Sequence, residues 1–371
     1  VLNKSNIYNA IARVNGDGFL RLRGGSGTIS QNTANWIRLG NNNSGGFHLD
    51  MGASLSDRAD IVLSEIWGDG TVAGAPKLSI ASLSGHGFFR SDWGTGAGNR
   101  TISVNQDIDT TYSGRIIQNN SSSRSIILEK LGSGTLTLTQ AHTINGLNVG
   151  GSGSLVLASG ASVASAPVTV SDTATLLVNS GATAAGTISV ASGAYLGGSG
   201  TIAGTTTISG FHTPGNSPGT QTFSNGISYE TGSTLVWELI DNTLGTAGTD
   251  FDQVLVTGGD LTIDASTTIN LVMNLGDSSV DWTDSFWGID RSWLAVDFQS
   301  GGTSTGNFGT LTYTADSLGQ SLTDIRPYAS FTVDRDGDDI FVNYSAVPEP
   351  SALALFGLAG TAMLGIRRRS A

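Results

Sequence analysis

Short stretches of alternating apolar and polar residues recur through the middle of the chain. Leu136 and Leu138 alternate with threonines, which is the period of two expected for a half-buried β-strand. The segment LVLASGA at 155–161 returns as LLVNSGA at 176–182. We therefore expect strands with leucines inside and threonines outside. Ser-Gly corners would join them, because glycine supplies the positive φ of a sharp bend.

The spacing of the repeats predicts how these strands are arranged. Between positions 126 and 210 similar units recur at a period of roughly 20, about one turn of a β-solenoid whose rungs bury each other's apolar faces. The predicted fold class is all-β: a right-handed parallel β-helix or solenoid with irregular β flanks. An antiparallel sandwich would explain the alternation and the glycines, but it would not explain the spacing.

The C-terminus carries a different pattern. Residues 352–366 contain eleven apolar residues, three glycines, one threonine and no charge. As an α-helix this segment rises roughly 22 Å, and a bilayer core of ~30 Å can thin locally to accept it. Arg367, Arg368 and Arg369 follow at once and predict a transmembrane helix with a cytoplasmic C-terminus and an exported body. A buried core helix is the alternative.

These patterns divide the chain into four expected parts. They are an irregular β-rich start of the solenoid (1–125), the β-helix (126–265), a β-rich C-terminal cap with a hairpin (266–346) and the apolar terminal segment (347–371). The cap contains a group of aromatic residues that we expect to cover the apolar end of the solenoid. A carbohydrate-stacking platform is the alternative for this group: Trp282, Phe286, Trp287 and Trp293.

Composition narrows the possible functions. The 371 residues include 18 Lys and Arg against 30 Asp and Glu, giving a net charge of −12 that argues against nucleic acid as a partner. No cysteine is present, which excludes disulfides and thiolate metal sites. The sequence starts at Val1 without a charged and then apolar leader, so we expect a processed chain or a fragment.

Three motifs suggest chemistry that their context does not support. Gly215-Asn216-Ser217-Pro218-Gly219 fits a nucleophile elbow, but the residue after the serine is a proline without the N–H that holds an oxyanion. The aspartates of 334–339 lack the spacing of an EF-hand, and Asp336-Gly337 instead predicts a hairpin. Four scattered histidines have no metal-ligand spacing: His48, His86, His142 and His212. We expect no catalytic residue, cofactor or metal site.

The terminal pattern resembles the PEP-CTERM sorting signal of Gram-negative bacteria. Val347, Pro348, Glu349 and Pro350 precede the apolar segment, and the three arginines follow it, in the order of that signal. The resemblance implies recognition by an exosortase, a membrane-embedded sorting protease. The prolines forbid helix through the motif and hold it extended, as a protease cleft requires.

A second resemblance concerns the body of the protein. Glu129-Lys130-Leu131-Gly132-Ser133-Gly134-Thr135-Leu136-Thr137-Leu138 resembles the start of the autotransporter-associated β-strand repeat. The segment 213–219 (TPGNSPG), followed by 250–256 (DFDQVLV), is similar to the end of a β-helical passenger. These resemblances cover about 126–265 and imply a parallel β-helix outside the cell with a structural or adhesive role.

Two classes of function remain as expectations. The first is a non-enzymatic surface or extracellular-matrix protein, anchored briefly in the inner membrane, sorted by an exosortase and in contact with extracellular polysaccharide. The second is a β-helical polysaccharide lyase or hydrolase with the same tail. Such enzymes need clustered cations and carboxylates, and residues 131–265 contain no Lys or Arg.

Overall fold

A computed structural model describes residues 21–23, 47–50, 60–62, 77–84, 88–91, 98–118, 124–164 and 166–346. Within these residues most strands belong to three long sheets. Sheet A has twelve strands in the order β1 (Arg21–Arg23), β2 (Phe47–Asp50), β4 (Lys77–Ser82), β6 (Gly98–Asn105), β9 (Arg124–Leu131), β12 (Gly146–Val149), β15 (Val168–Val170), β18 (Ile188–Val190), β21 (Thr206–Ile208), β24 (Ile227–Tyr229), β27 (Leu261–Ile263) and β30 (Ser304–Gly306).

Sheets B and C have nine described strands each. Sheet B runs through β7 (Thr110–Tyr112), β10 (Leu136–Leu138), β13 (Ser154–Leu157), β16 (Thr175–Val178), β19 (Tyr195–Gly198), β22 (Phe211–Pro214), β25 (Thr234–Glu238), β28 (Thr268–Val272) and β31 (Thr310–Tyr313). Sheet C runs through β11 (Ala141–His142), β14 (Ser162–Val163), β17 (Thr183–Ala184), β20 (Thr201–Ile202), β23 (Thr220–Phe223), β26 (Gln253–Val256), β29 (Arg291–Phe298), β33 (Asp339–Ser345) and β32 (Ser330–Asp336).

The remaining described elements are short. A three-stranded sheet contains β3 (Asp60–Val62), β5 (Phe88–Ser91) and β8 (Arg115–Gln118). It leads into sheet C, because Ile117 of β8 bridges in parallel to Thr143, next to β11. A 3-10 helix spans Ser285–Gly288 and the α-helix α1 spans Leu322–Ile325.

The chain visits the three long sheets in a fixed rotation. From β9 to β31 it passes from sheet A to B to C and back to A, and each strand from β9 to β28 pairs in parallel with the strand one turn later, whereas β33 adds antiparallel to β29 of sheet C. Leu147 pairs with Val168 and Val168 with Ile188, so each turn of the coil matches one unit of the sequence repeat. The predicted solenoid is therefore confirmed, and the antiparallel sandwich is wrong. The predicted right-handed winding stays a prediction.

Aligned apolar columns fill the interior between the sheets. On sheet B, Leu136, Leu155, Leu176 and Leu196 stack in register and are fully buried, as the alternating pattern predicts. Burial of each such side chain contributes about 1.5–3 kcal/mol before the cost of ordering the chain. The buried side chains of each turn thus pack against those of the next turn, so the fold depends on the stacking of turns.

A tight corner between sheets A and B explains the Lys-x-Gly motif. Lys130 is buried, its Nζ donates to the Leu131 carbonyl at 2.8 Å, and burial lowers the pKa of its ammonium. Gly132 has φ +82°, and a Cβ there would lie 2.3 Å from the Gln106 carbonyl oxygen of the preceding turn. Only glycine fits at this point.

The later turns are longer and carry loops. On sheet A, Ile227 pairs with Leu261 and Leu261 with Ser304, so each of these turns contains many more residues than the turns before it. The extra residues lie in the loop between β25 and β26 and in the segment between β28 and β29 that contains the 3-10 helix. The predicted hairpin is present as antiparallel β32–β33, with Gly337 at φ +61° in its turn.

Candidate functional site

The described body ends where the sorting tail begins. Strand β33 stops at Ser345, and the Ala346 N–H donates to Asp290 Oδ1 at 2.8 Å. This contact fixes the exit point of the chain beside the 3-10 helix. The predicted motif (Val347, Pro348, Glu349, Pro350), the predicted membrane segment 352–366 and the arginines Arg367, Arg368 and Arg369 lie outside the described residues.

A buried aromatic cluster supports this exit point. Trp282, Trp287 and Trp293 are each at most 1% exposed, and Tyr344 of β33 donates its hydroxyl to the Trp287 carbonyl at 2.9 Å. The indole N–H groups all donate to oxygens within the body, such as Asn242 Oδ1 at 2.7 Å from Trp287. Because their rings are buried, these tryptophans offer no carbohydrate-stacking platform. The cluster is an interior packing feature of the final turns.

The β32–β33 hairpin is hydrogen-bonded to the last described strand of sheet A and to the residue after it. Arg335 Nε donates to the Gly306 carbonyl at 2.7 Å, and Asn307 Nδ2 donates to the Val333 carbonyl at 2.9 Å. These bonds tie the hairpin across the last strand of sheet A.

Comparison with known proteins bears on the tail. Residues 346–369 match the PEP-CTERM protein-sorting motif. The match implies an exported protein that an exosortase processes and whose C-terminal tail associates it with the membrane or cell surface. The match begins at residue 346, which is the last described residue of the body. A comparison with curated proteins finds no match for the chain.

Among the described residues, no helix is both long enough and apolar enough to cross a bilayer. The segment 352–366, for which we predict a transmembrane helix, lies outside those residues.

Ser217 lies in an exposed turn between sheets B and C. The next residue, Pro218, offers no N–H for an oxyanion. Behind it, both carboxylate oxygens of buried Asp252 accept backbone N–H groups, from Gly219 at 2.7 Å and from Glu238 at 3.1 Å. Burial and the nearby Glu238 raise the pKa of Asp252. The Asp252 carboxylate therefore braces the turn, a role that the sequence did not reveal.

Two of the four histidines, His142 and His212, have described side chains, and both are buried. His212 stands in the aliphatic column of sheet B between Leu196 and Leu235, and it contacts the Tyr229 hydroxyl (Nδ1, 2.6 Å) and Gln221 Oε1 (Nε2, 2.8 Å). Because the Gln221 amide nitrogen donates to the Gly197 carbonyl, Nε2 carries the proton and Nδ1 accepts.

Burial lowers the pKa of His212 to about 4, and burial together with Arg115 lowers that of His142 to about 4. The described residues hold no group of three His, Cys, Asp or Glu with metal-binding geometry. His48 has only its backbone described, and His86 lies outside the described residues.

The outer faces of the solenoid carry hydroxyl groups in register. Between residues 131 and 229 Asp172 is the only Asp, Glu, Lys or Arg. On sheet A one outward position of each turn stacks on the next. The residues of this column are Asn148, Thr169, Ser189, Thr207, Ser228, Thr262 and Thr305. The middle of the rod thus presents a nearly uncharged polar surface with a regular repeat of about 4.8 Å.

Proposed function

We propose that this protein is a non-enzymatic rod that an exosortase sorts through Pro348-Glu349-Pro350 and that is then retained at the cell surface or in the extracellular matrix. The inner membrane would hold the predicted helix 352–366 only until sorting. The observation that carries the proposal is the sorting motif at 346–369 placed directly after a closed β-solenoid.

The surface of the body favours a structural or adhesive role over catalysis. Its described central turns are almost uncharged and rich in hydroxyl groups, a surface suited to many weak hydrogen bonds with a repeating polymer. The cations beside these turns have structural partners: Lys130 donates to the Leu131 carbonyl, and Arg115 Nε donates to the Ala141 carbonyl at 3.2 Å. These contacts disfavour the alternative, a polysaccharide lyase or hydrolase.

The resemblance of 129–138 to the autotransporter-associated repeat supports the same role. Within that motif, Lys130 and Gly132 form the sharp turn between sheets A and B. We propose that the repeat serves here, as in passenger-like proteins, to build a rigid exported coil.

Deletion of residues 347–371 tests the sorting proposal. We expect the shortened protein to fold and to be exported but not to be retained at the surface, because the signal for the exosortase is gone. A matched control replaces Thr361, inside the apolar segment, with Ala and should leave retention unchanged. Fractionation and immunoblotting report the destination. Surface retention equal to that of the full chain would refute the proposal.

A second experiment tests the non-enzymatic proposal. The purified body is incubated with acidic and neutral polysaccharides, and new reducing ends and unsaturated uronic ends are measured. We expect neither kind of end to accumulate above a heat-denatured control. Accumulation of either kind would identify the protein as a hydrolase or a lyase.

A further inference from the structure

One outer face of the solenoid differs from the hydroxyl-rich surface around it. On sheet B one outward position on each of five successive strands, β13 to β25, carries a larger apolar or aromatic side chain. None of these side chains belongs to the buried core, and each is partly exposed. We call this set the aromatic strip: Val156, Leu177, Tyr195, Phe211 and Val236.

Strand register brings the two aromatic residues together. Tyr195 of β19 pairs directly with Phe211 of β22, and their rings stack with centroids 4.6 Å apart and planes 12° apart. The residue before Tyr195 in this column is Thr175, and the residue after Phe211 is Thr234. Threonine is much shorter than either aromatic side chain. The outer part of each ring therefore extends beyond its threonine neighbour and is partly exposed.

Hydroxyl groups border the ring pair on both sides in the same column. Ser154 and Thr175 precede the ring pair, and Thr234, Thr268 and Thr310 follow it. The Tyr195 hydroxyl itself makes no hydrogen bond with the described residues. A ligand on this face would thus find two partly exposed aromatic rings in the middle and hydroxyl donors and acceptors on either side.

The size of the strip argues against a second copy of the chain as its occupant. Five strands at about 4.8 Å spacing give a length of about 20 Å, and two outward positions per strand give a width of about 10 Å. The resulting area is on the order of 200 Å², whereas a stable protein partner covers roughly 800 Å² per side. The strip is long and narrow, so it suits one extended polymer chain.

Charge decides the chemistry of that polymer. No Lys or Arg occurs between residues 131 and 265, so the strip has no cation to neutralise an anionic polymer. A neutral polysaccharide needs none. Its sugar rings present C–H groups on their faces, which pack on aromatic rings, and hydroxyl groups at their rims, which pair with threonine.

We infer that the aromatic strip on sheet B binds a neutral polysaccharide chain that lies along the axis of the solenoid. The ring pair Tyr195–Phe211 holds the apolar faces of two sugar units, and the threonines on either side bind the rim hydroxyls. This inference rests on the proposed function, because it names the ligand class and the face through which the exported rod adheres.

The test measures binding of the purified body to neutral and anionic polysaccharides by affinity electrophoresis in gels containing each polymer. The double variant Tyr195→Thr/Phe211→Thr removes both rings and gives the column the residue that it has at neighbouring turns. The control Leu255→Thr makes a similar change on the outer face of sheet C, where Leu255 pairs with Thr222. Circular dichroism and tryptophan fluorescence verify that each variant is folded.

We expect the wild type to bind at least one neutral polymer and no anionic one. The double variant should bind about tenfold or more weakly, because it loses two stacking contacts. Leu255→Thr and the ring-preserving Tyr195→Phe should bind like the wild type.

Equal binding by the double variant, or preference for an anionic polymer, would overturn the inference. So would a dimer that only the double variant abolishes, because the occupant would then be a second copy. The double variant keeps the tail and should reach the same destination as the wild type. Loss of binding with unchanged sorting separates this inference from the sorting proposal.

Discussion

Acidification should lower the free energy of unfolding, because His212 is buried in its neutral form. The unfolded chain takes up a proton on this histidine near pH 6.5, whereas in the folded protein burial lowers its pKa to about 4. The contribution of neutral His212 to the stability of the folded protein is therefore fully present above pH 6.5. It is lost as the pH falls toward about 4. Between pH 6.5 and about 4.5 the loss for His212 alone is on the order of 2 kcal/mol.

The variant His212→Leu isolates this effect. Leucine completes the aliphatic column between Leu196 and Leu235, but it leaves the Tyr229 hydroxyl and Gln221 Oε1 without their partner. At neutral pH we expect the variant to be less stable by a few kcal/mol, since each unpaired buried group costs ~1–3 kcal/mol. Below pH 6.5 its stability should decline more slowly than that of the wild type, with slopes that differ by at most ~1.4 kcal/mol per pH unit.

Urea unfolding followed by tryptophan fluorescence, repeated at several pH values between about 7 and 4.5, measures both slopes. His142 adds a decline of the same sign, because its pKa is also lowered to about 4. The raised pKa of Asp252 acts in the opposite direction. Both groups are present in wild type and variant, so their contributions cancel in the difference. Parallel pH profiles for the two proteins would refute the assignment of His212 as a buried neutral base.

Two further predictions test the stacking itself. Leu176→Ala should lower the free energy of unfolding by ~2–5 kcal/mol, because it leaves a cavity in a fully buried column, whereas Thr207→Ala on the outer face of sheet A should change it by less than ~0.5 kcal/mol. Gly132→Ala should destabilise severely, because its Cβ would meet a carbonyl oxygen at 2.3 Å, whereas Gly232→Ala, at φ +78° with no atom within 4 Å, should cost only ~1–2 kcal/mol of backbone strain. Urea unfolding measures all four, and equal costs within either pair would contradict the geometry.

The regular part of the solenoid was predictable because its turns are near copies of each other. Leu155 and Leu176 hold equivalent places in two successive sequence repeats, and they pair directly in sheet B. Each turn forms the same local environment as the last, so a repeated sequence pattern translates directly into a repeated structural position. The corner at Gly132 was also predictable, because a sharp bend requires a positive φ and glycine adopts it without strain.

The loops and buried polar groups were not predictable in this way. The alternation pattern treats His212 as a polar residue, which gives no reason to expect burial. It is buried because the coil places hydrogen-bond partners beside it, Tyr229 and Gln221, from two later strands. The turn from Ile227 to Leu261 is lengthened by a loop whose sequence has no counterpart in the repeats. The aromatic strip was missed because the turn joining Tyr195 to Phe211 is shorter than the turn before it, so the repeat spacing does not align the two rings.

The position of the cap explains how a protease can remove the tail without harming the rod. Tyr344 completes the buried aromatic cluster, and the Ala346 N–H is already bound by Asp290, so the hydrophobic interior of the described body is closed before the motif starts. Cleavage beyond residue 346 would remove no side chain of that described core. The solenoid and the sorting signal can therefore act independently: the stability of the rod depends on the stacking of its turns, and we propose that its destination depends on residues 347–371.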